Sequence, residues 1–244
     1  MKHFLLFLII GCSALKSFSQ DFITGNEFSR TFNLKKDTLS GTCFLIFENK
    51  KNYWITAKHV LGNVRNGQKI NFYILQDTSW LIATGTVLLH SNPQIDIAVI
   101  SPEDTSTTNG IALNQTGPAL GEEGFFLGFP FGLKTKDPSN INKGFPFALV
   151  KKCVFSGAYT EKGIQLFFFD GNNNPGFSGG PVFFRNSSDP KDRQLYLMAV
   201  VSAYVNQKNQ MITPIGTIDY NENSGIILAY SSSHIREILT QNGK

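Results

Sequence analysis

From residue 42 onward, short apolar runs alternate with clusters of turn-forming residues. TCFLIFE (42–48), YWITAKHV (53–60), KINFYIL (69–75), ATGTVLLH (83–90) and IDIAVIS (95–101) come first. GFFLGF (124–129), FALVKKCVF (147–155), IQLFFF (164–169), PVFF (181–184), LYLMAVVSAY (195–204) and GIILAY (225–230) follow. The runs are rich in Phe, Val, Ile, Leu and Tyr, and most are bounded by Gly, Asn, Asp, Pro or Ser. That pattern predicts strands joined by turns, an all-β barrel or sandwich. Helical spacing shows once, in SSSHIREILTQN, where Ile235, Ile238 and Leu239 fall at i, i+3 and i+4 behind serines able to cap. One short C-terminal helix is expected there. The polar, turn-rich stretch 101–124 divides the strands into two sets of similar size. Two β-barrels are therefore expected, an N-terminal one over 21–115 and a C-terminal one, with the helix, over 116–244.

The first twenty residues break this pattern. MKH is a short basic start, FLLFLIIG an apolar run, and SALKSFSQ small and polar. This is the plan of a secretory signal peptide over residues 1–20, with an apolar run too short to span a bilayer. Export to a periplasm or to the exterior follows as an expectation. The run Ile9-Ile10-Gly11-Cys12 also resembles a bacterial lipobox, so a lipid anchor at Cys12 is the alternative. No other stretch approaches about 18 apolar residues, and no transmembrane segment is expected.

Composition narrows the function classes. The chain of 244 residues is 41% hydrophobic, enough for a substantial core. A net charge of +4 without a block of basic residues argues against nucleic acid as a principal partner. Beyond Cys12, the remaining cysteines are Cys43 and Cys153, either a disulfide or two buried thiols. There is no CxxC, HExxH or paired-histidine spacing, so neither a metal site nor a cofactor is expected.

The chemistry concentrates in NNNPGFSGGPV (172–182), whose Gly-x-Ser-x-Gly core centres on Ser178. One reading is the elbow of an α/β-hydrolase, with the order Ser178, Asp219, His234. Pro181 and the strand-like VFF that follow leave no room for the helix such an elbow needs. The other reading has the order His, Asp, Ser. ITAKHV places His59 at the end of an apolar strand, and DIAVI places Asp96 at the start of another. A serine hydroxyl is a poor nucleophile at neutral pH, whereas an imidazole with a pKa near about 6.5 can take its proton. A carboxylate then fixes the imidazole tautomer. Glycines around Ser178 would let the N–H groups of Gly176 and Ser178 turn toward an oxyanion, each worth about 3 kcal/mol. His90 and His234 carry no assigned role.

TAKHV, DIAVI and NPGFSGGPV together resemble the three signatures of trypsin-like serine endopeptidases, most nearly the bacterial Deg (HtrA-type) branch. SGTCFLI (40–46), GFPFG (128–132) and SGIILAYSSSHIREIL (224–239) add matches in register, and the likeness covers roughly 38–240. It implies two six-stranded Greek-key β-barrels with the site between them. It also implies peptide-bond hydrolysis through an acyl-enzyme, with protein or peptide substrates. By the resemblance His59 is general base and acid, Asp96 its orienter, Ser178 the nucleophile, and the Gly176 and Ser178 amides the oxyanion hole. Asn172 would lie at the base of the primary substrate pocket, with Ser202, Ala203 and Tyr204 along its wall. No carboxylate stands there to hold Arg or Lys, which points to a medium apolar or small polar side chain. The chain departs from the family at Phe177, where many relatives have Asp or Asn, and at Cys43, where they have glycine. The PDZ module of many Deg enzymes is not expected here. A catalytically inactive binding protein on the same fold is the alternative.

Overall fold

The computed structural model describes residues 23–103, 110–113, 117–136, 140–186, 192 and 194–244. The expected signal segment and Cys12 lie outside them. A short helix α1 (Gly25–Phe28), capped by the Thr24 side chain, leads into two strand sets. The first comprises β1 (Thr31–Lys36), β2 (Leu39–Glu48), β3 (Lys51–Ala57), β4 (Lys69–Gln76), β5 (Ser79–Leu89) and β6 (Ile97–Pro102). The second comprises β7 (Glu123–Gly128), β8 (Leu149–Glu161), β9 (Ile164–Asp170), β10 (Pro181–Arg185), β11 (Leu195–Thr213) and β12 (Gly216–Ser231). Each set closes into a barrel, in the orders β1-β2-β3-β6-β5-β4 and β10-β11-β12-β9-β8-β7. In both, the third strand pairs with the sixth instead of the fourth, so the two barrels share one Greek-key crossing. The fold class expected from the sequence is the one found.

Burial explains the two kinds of apolar run. β4 alternates, with Ile70, Phe72 and Ile74 buried while Lys69 and Asn71 face water. β6 is apolar without alternation because both of its faces are covered. Ala98 and Ile100 pack with Leu34 and Phe72 inside the first barrel. Ile97 and Val99 pack with Phe125, Leu127 and Leu197 between the barrels. The C-terminal helix α2 (Ser233–Gln241) seals this shared layer by burying Ile235, Ile238 and Leu239 on the predicted face. Each such side chain contributes about 1.5–3 kcal/mol of hydrophobic stabilisation.

Three features differ from the sequence expectation. β1 (TFNLKK) is a full strand, although no apolar run announces it. The linker is more than a tether: Ile111 bridges to Ile46, exchanging backbone hydrogen bonds with Leu45 and Phe47, and is buried. Finally, β11 and β12 run on as a two-stranded ribbon paired down to Thr213 and Gly216. Cys43 and Cys153 are free, buried thiols in separate barrels, β2 and β8. Burial pushes the Cys153 thiol up to about 12 and the Cys43 thiol well above its ordinary value. No helix among the described residues is long and apolar enough to cross a membrane.

Candidate active site

β3 ends at Ala57 and runs into a tight helical turn, Lys58–Leu61. Val60 and Leu61 are buried and anchor the turn, leaving the His59 side chain 51% exposed at the cleft between the barrels. Asp96 stands just before β6, which pairs with β3, so the two residues meet through sheet register. The Asp96 carboxylate accepts three hydrogen bonds. The His59 backbone N–H donates to Oδ1 at 2.9 Å, His59 Nδ1 lies 2.7 Å from Oδ2, and the Ser202 hydroxyl donates to Oδ2 at 2.5 Å. Burial alone would raise the Asp96 pKa, but the His59 ring and charge, the Ser202 hydroxyl and the His59 N–H outweigh it. The net shift is below the ordinary value. An ionised Asp96 can only accept, so Nδ1 of a neutral His59 carries the proton and Nε2 presents a lone pair to the cleft.

Ser178 joins this chain from the second barrel. Its hydroxyl donates to the Ser202 carbonyl at 3.0 Å. Ser202 thus stands between His59–Asp96 and Ser178, with its hydroxyl on Asp96 and its carbonyl on the Ser178 hydroxyl. Among the described residues, no hydrogen bond joins the Ser178 hydroxyl to His59 directly.

The loop bearing Ser178 is held by its carbonyls. Lys151 Nζ binds Asn172 O, and Asn223 Nδ2 binds Asn173 O. Backbone N–H groups of Phe177, Phe131 and Gly180 bind the carbonyls of Asn174, Pro175 and Phe177. The Thr42 hydroxyl donates to Gly176 O at 2.7 Å, and the Thr42 N–H to Ser178 O at 2.8 Å. The Gly176 and Ser178 N–H groups, by contrast, have no acceptor among the described residues. That is the arrangement an oxyanion requires.

Two glycines allow this shape. A Cβ on Gly176 (φ +108°) would sit 2.3 Å from Phe129 O, and one on Gly179 (φ +83°) 2.2 Å from Thr42 O. Gly179→Ala combines a left-handed backbone with a clash against fixed main chain. It should destabilise the protein by about 3 kcal/mol or more, read from the urea midpoint. Phe177 does not crowd the loop. Its ring turns inward, fully buried, 4.7 Å from the Phe126 ring in the second barrel's core.

The family now follows from the sequence match: residues 41–188, more than half of the chain, fit the trypsin-like peptidase domain. This chain belongs to the trypsin-like peptidase family. The expected likeness to the HtrA-type branch is met in three dimensions. An HtrA-type protease, AlgW, solved with a tripeptide, superposes with a TM-score of 0.57 at 19% identity over 90% of this chain and 62% of its own. The serine endoprotease of Yersinia pestis gives 0.57 at 17% identity, over 88% of this chain and 63% of its own. The Rv3671c protease of M. tuberculosis, in its active form, gives 0.53 at 13% identity over 88% and 81%. At these identities the likeness concerns the fold, and this chain spans about three-fifths of the length of the first two. No curated protein matches the sequence.

The expected pocket residues lie around the same loop. Asn172 is exposed and receives Asn223 Nδ2 on its side-chain oxygen at 3.3 Å. Asn173, which the sequence reading passed over, is buried and ties the loop to the Ser202–Tyr204 segment by donating to Ala203 O at 3.1 Å. Thr42 was also missed, although it fastens the end of the Ser178 loop to the first barrel. Beside His59, a cavity of about 540 Å³ opens between Asn63, Leu89, Pro93 and the end of α2 at Asn242.

The elbow reading does not survive. Ser178 leads into a strand, Asp219 lies on the exposed ribbon, and His234 is buried in α2. His234 instead clusters with His90 and Glu237, with donor spacing that would suit a metal ion. The His234 tautomer forbids it. Gln165 N–H donates to His234 Nε2 at 3.0 Å, so that nitrogen must accept. The proton of the neutral ring then sits on His234 Nδ1, facing Glu237 Oε2 at 2.8 Å. A metal ligand needs the opposite arrangement, with its far nitrogen donating outward.

Proposed function

We propose that the protein is an exported serine endopeptidase that hydrolyses peptide bonds through His59, Asp96 and Ser178. The observation carrying this is the His59–Asp96 pair joined through Ser202 to Ser178, the Ser202 hydroxyl on Asp96 and its carbonyl on the Ser178 hydroxyl, beside two unoccupied loop amides. A step between staggered rotamers turns the Ser178 hydroxyl from Ser202 O toward His59 Nε2. Its oxygen attacks the scissile carbonyl carbon as Nε2 takes the proton. Charge develops on the carbonyl oxygen, received by the Gly176 and Ser178 N–H groups. Collapse breaks the C–N bond, and His59 gives its proton to the leaving amine. Water repeats the sequence on the acyl-enzyme and releases the acid. Asp96 holds the Nδ1–H tautomer and stabilises the imidazolium in each half-reaction.

Asn172 presents no carboxylate to a substrate side chain. A medium apolar or small polar residue before the cleaved bond remains the proposed preference. The test is an organofluorophosphonate probe alongside peptide-library cleavage. Folded protein should be labelled at Ser178 and should cut at a consistent residue type. A well-folded protein that binds library peptides yet takes no label would instead be the inactive binder, the reading favoured by the Ser178 hydroxyl's bond to Ser202 O.

A further inference from the structure

β8 sends a charged side chain toward the interior. Leu149, Lys151, Cys153 and Phe155 share one face of the strand by its period of two, and Cys153 and Phe155 are buried. Lys151 continues this row beneath the 172–178 loop. Its Nζ donates to the Asn172 carbonyl and, at 3.0 Å, to Asn174 Oδ1. The same ammonium lies 5.6 Å from the centroid of the Phe177 ring. Among the described residues no carboxylate pairs with it. Its charge is met by a carbonyl dipole, an amide oxygen and an aromatic ring. Burial lowers its pKa from the ordinary lysine value, as expected of an ammonium drawn out of water.

These contacts add a charged tie to the part of the loop that Asn223, Asn173 and the Phe131 N–H also hold. Thr42 grips its far end at Gly176 and Ser178. At its near end, Asn174 O holds the Phe177 N–H at 3.2 Å. That bond turns the chain between the two unoccupied amides. Lys151 grips Asn174 by its side chain and Asn172 by its carbonyl, and supports Phe177 from the ring side. We infer that Lys151 is a positioning residue for the oxyanion amides: a half-buried cation that fastens residues 172–177 so that Gly176 and Ser178 N–H converge. The inference rests on the proposed role of Ser178 and deepens it. Neither Phe177 nor Asn172 carries a charge of its own, so the loop's electrostatic anchor comes from the neighbouring strand.

The test compares wild type, Lys151→Met and Lys151→Arg. Methionine keeps an unbranched apolar stem without charge, and arginine restores a cationic donor. Oxyanion donors act in the transition state, so Lys151→Met should lower kcat at least about tenfold and leave KM within about threefold. Lys151→Arg should recover much of the loss. Hydrogen exchange supplies a reading that needs no activity. The Phe177 amide should exchange at least about tenfold faster in Lys151→Met, with the β7, β10 and β12 amides unchanged.

An unchanged kcat would overturn the inference. So would a loss confined to KM that follows the residue before the cleaved bond, which would make Lys151 a specificity residue. Uniformly faster exchange through the barrel would make it merely structural, and would overturn it too. If wild type takes no fluorophosphonate label, the endopeptidase reading fails, and the exchange comparison still decides whether Lys151 holds the loop.

Discussion

Ser178→Ala is expected to lower kcat about 10⁶-fold while leaving the fold intact. The hydroxyl makes a single neutral hydrogen bond, to Ser202 O at 3.0 Å, worth about 0.5–1.5 kcal/mol. Everything that shapes the loop around it is main chain or comes from neighbours. Ser178 O is held by Thr42 N–H, Phe177 O by Gly180 N–H, and Gly176 O by the Thr42 hydroxyl. An alanine keeps all of these bonds and the two unoccupied amides. The variant should therefore unfold within a few degrees of wild type, bind substrate with similar affinity and take no fluorophosphonate label. The measurement is kcat on a cleaved library peptide together with thermal unfolding. Residual hydrolysis within about tenfold of wild type would show that the nucleophile lies elsewhere.

How much of this was readable in the sequence depends on what each residue is buried against. Strands covered by apolar layers, such as β6 and β7, announce themselves as runs of Ile, Val and Phe. β1 does not, because only Phe32 and Leu34 are apolar there, and the alternate positions Thr31 and Asn33 are polar though buried, with the Thr31 hydroxyl donating to Glu27 O. The outer ribbon of β11 and β12 was missed for the opposite reason. It lies beyond either core and is held by cross-strand pairing, so its sequence shows no burial pattern. His59, Asp96 and Ser178, the proposed catalytic groups, were legible because they stand in short motifs at strand ends and in a glycine-rich turn. Their supports were not. Thr42 reads as one polar residue in a strand, and only the fold reveals that it faces the nucleophile loop. Lys151 carried a faint signal: in FALVKKCVF, a period of two places one lysine on the face of Cys153 and Phe155. The apolar run drew attention to the strand and away from the charge within it.

Asp96→Asn should be the most damaging change after loss of the nucleophile, because this site leaves the amide only one orientation. The His59 backbone N–H, 2.9 Å from Asp96 Oδ1, can only donate, so the amide oxygen must stay opposite it. The amide nitrogen is then forced into the place of Oδ2, where it meets His59 Nδ1 at 2.7 Å and the Ser202 hydroxyl at 2.5 Å. The hydroxyl can rotate to accept. The imidazole can accept only by moving its own proton from Nδ1 to Nε2. That proton occupies the lone pair which should receive the one from Ser178, and no negative charge remains to favour an imidazolium. The geometry stays almost the same while the tautomer is reversed, so kcat should fall about 10⁴-fold with KM little changed. Two readings check the cause. Imidazole proton resonances of His59 should move from Nδ1–H to Nε2–H in the variant. Activity should partly return at high pH, where hydroxide can replace the missing base; a variant that keeps wild-type kcat and its Nδ1–H would remove Asp96 from the mechanism.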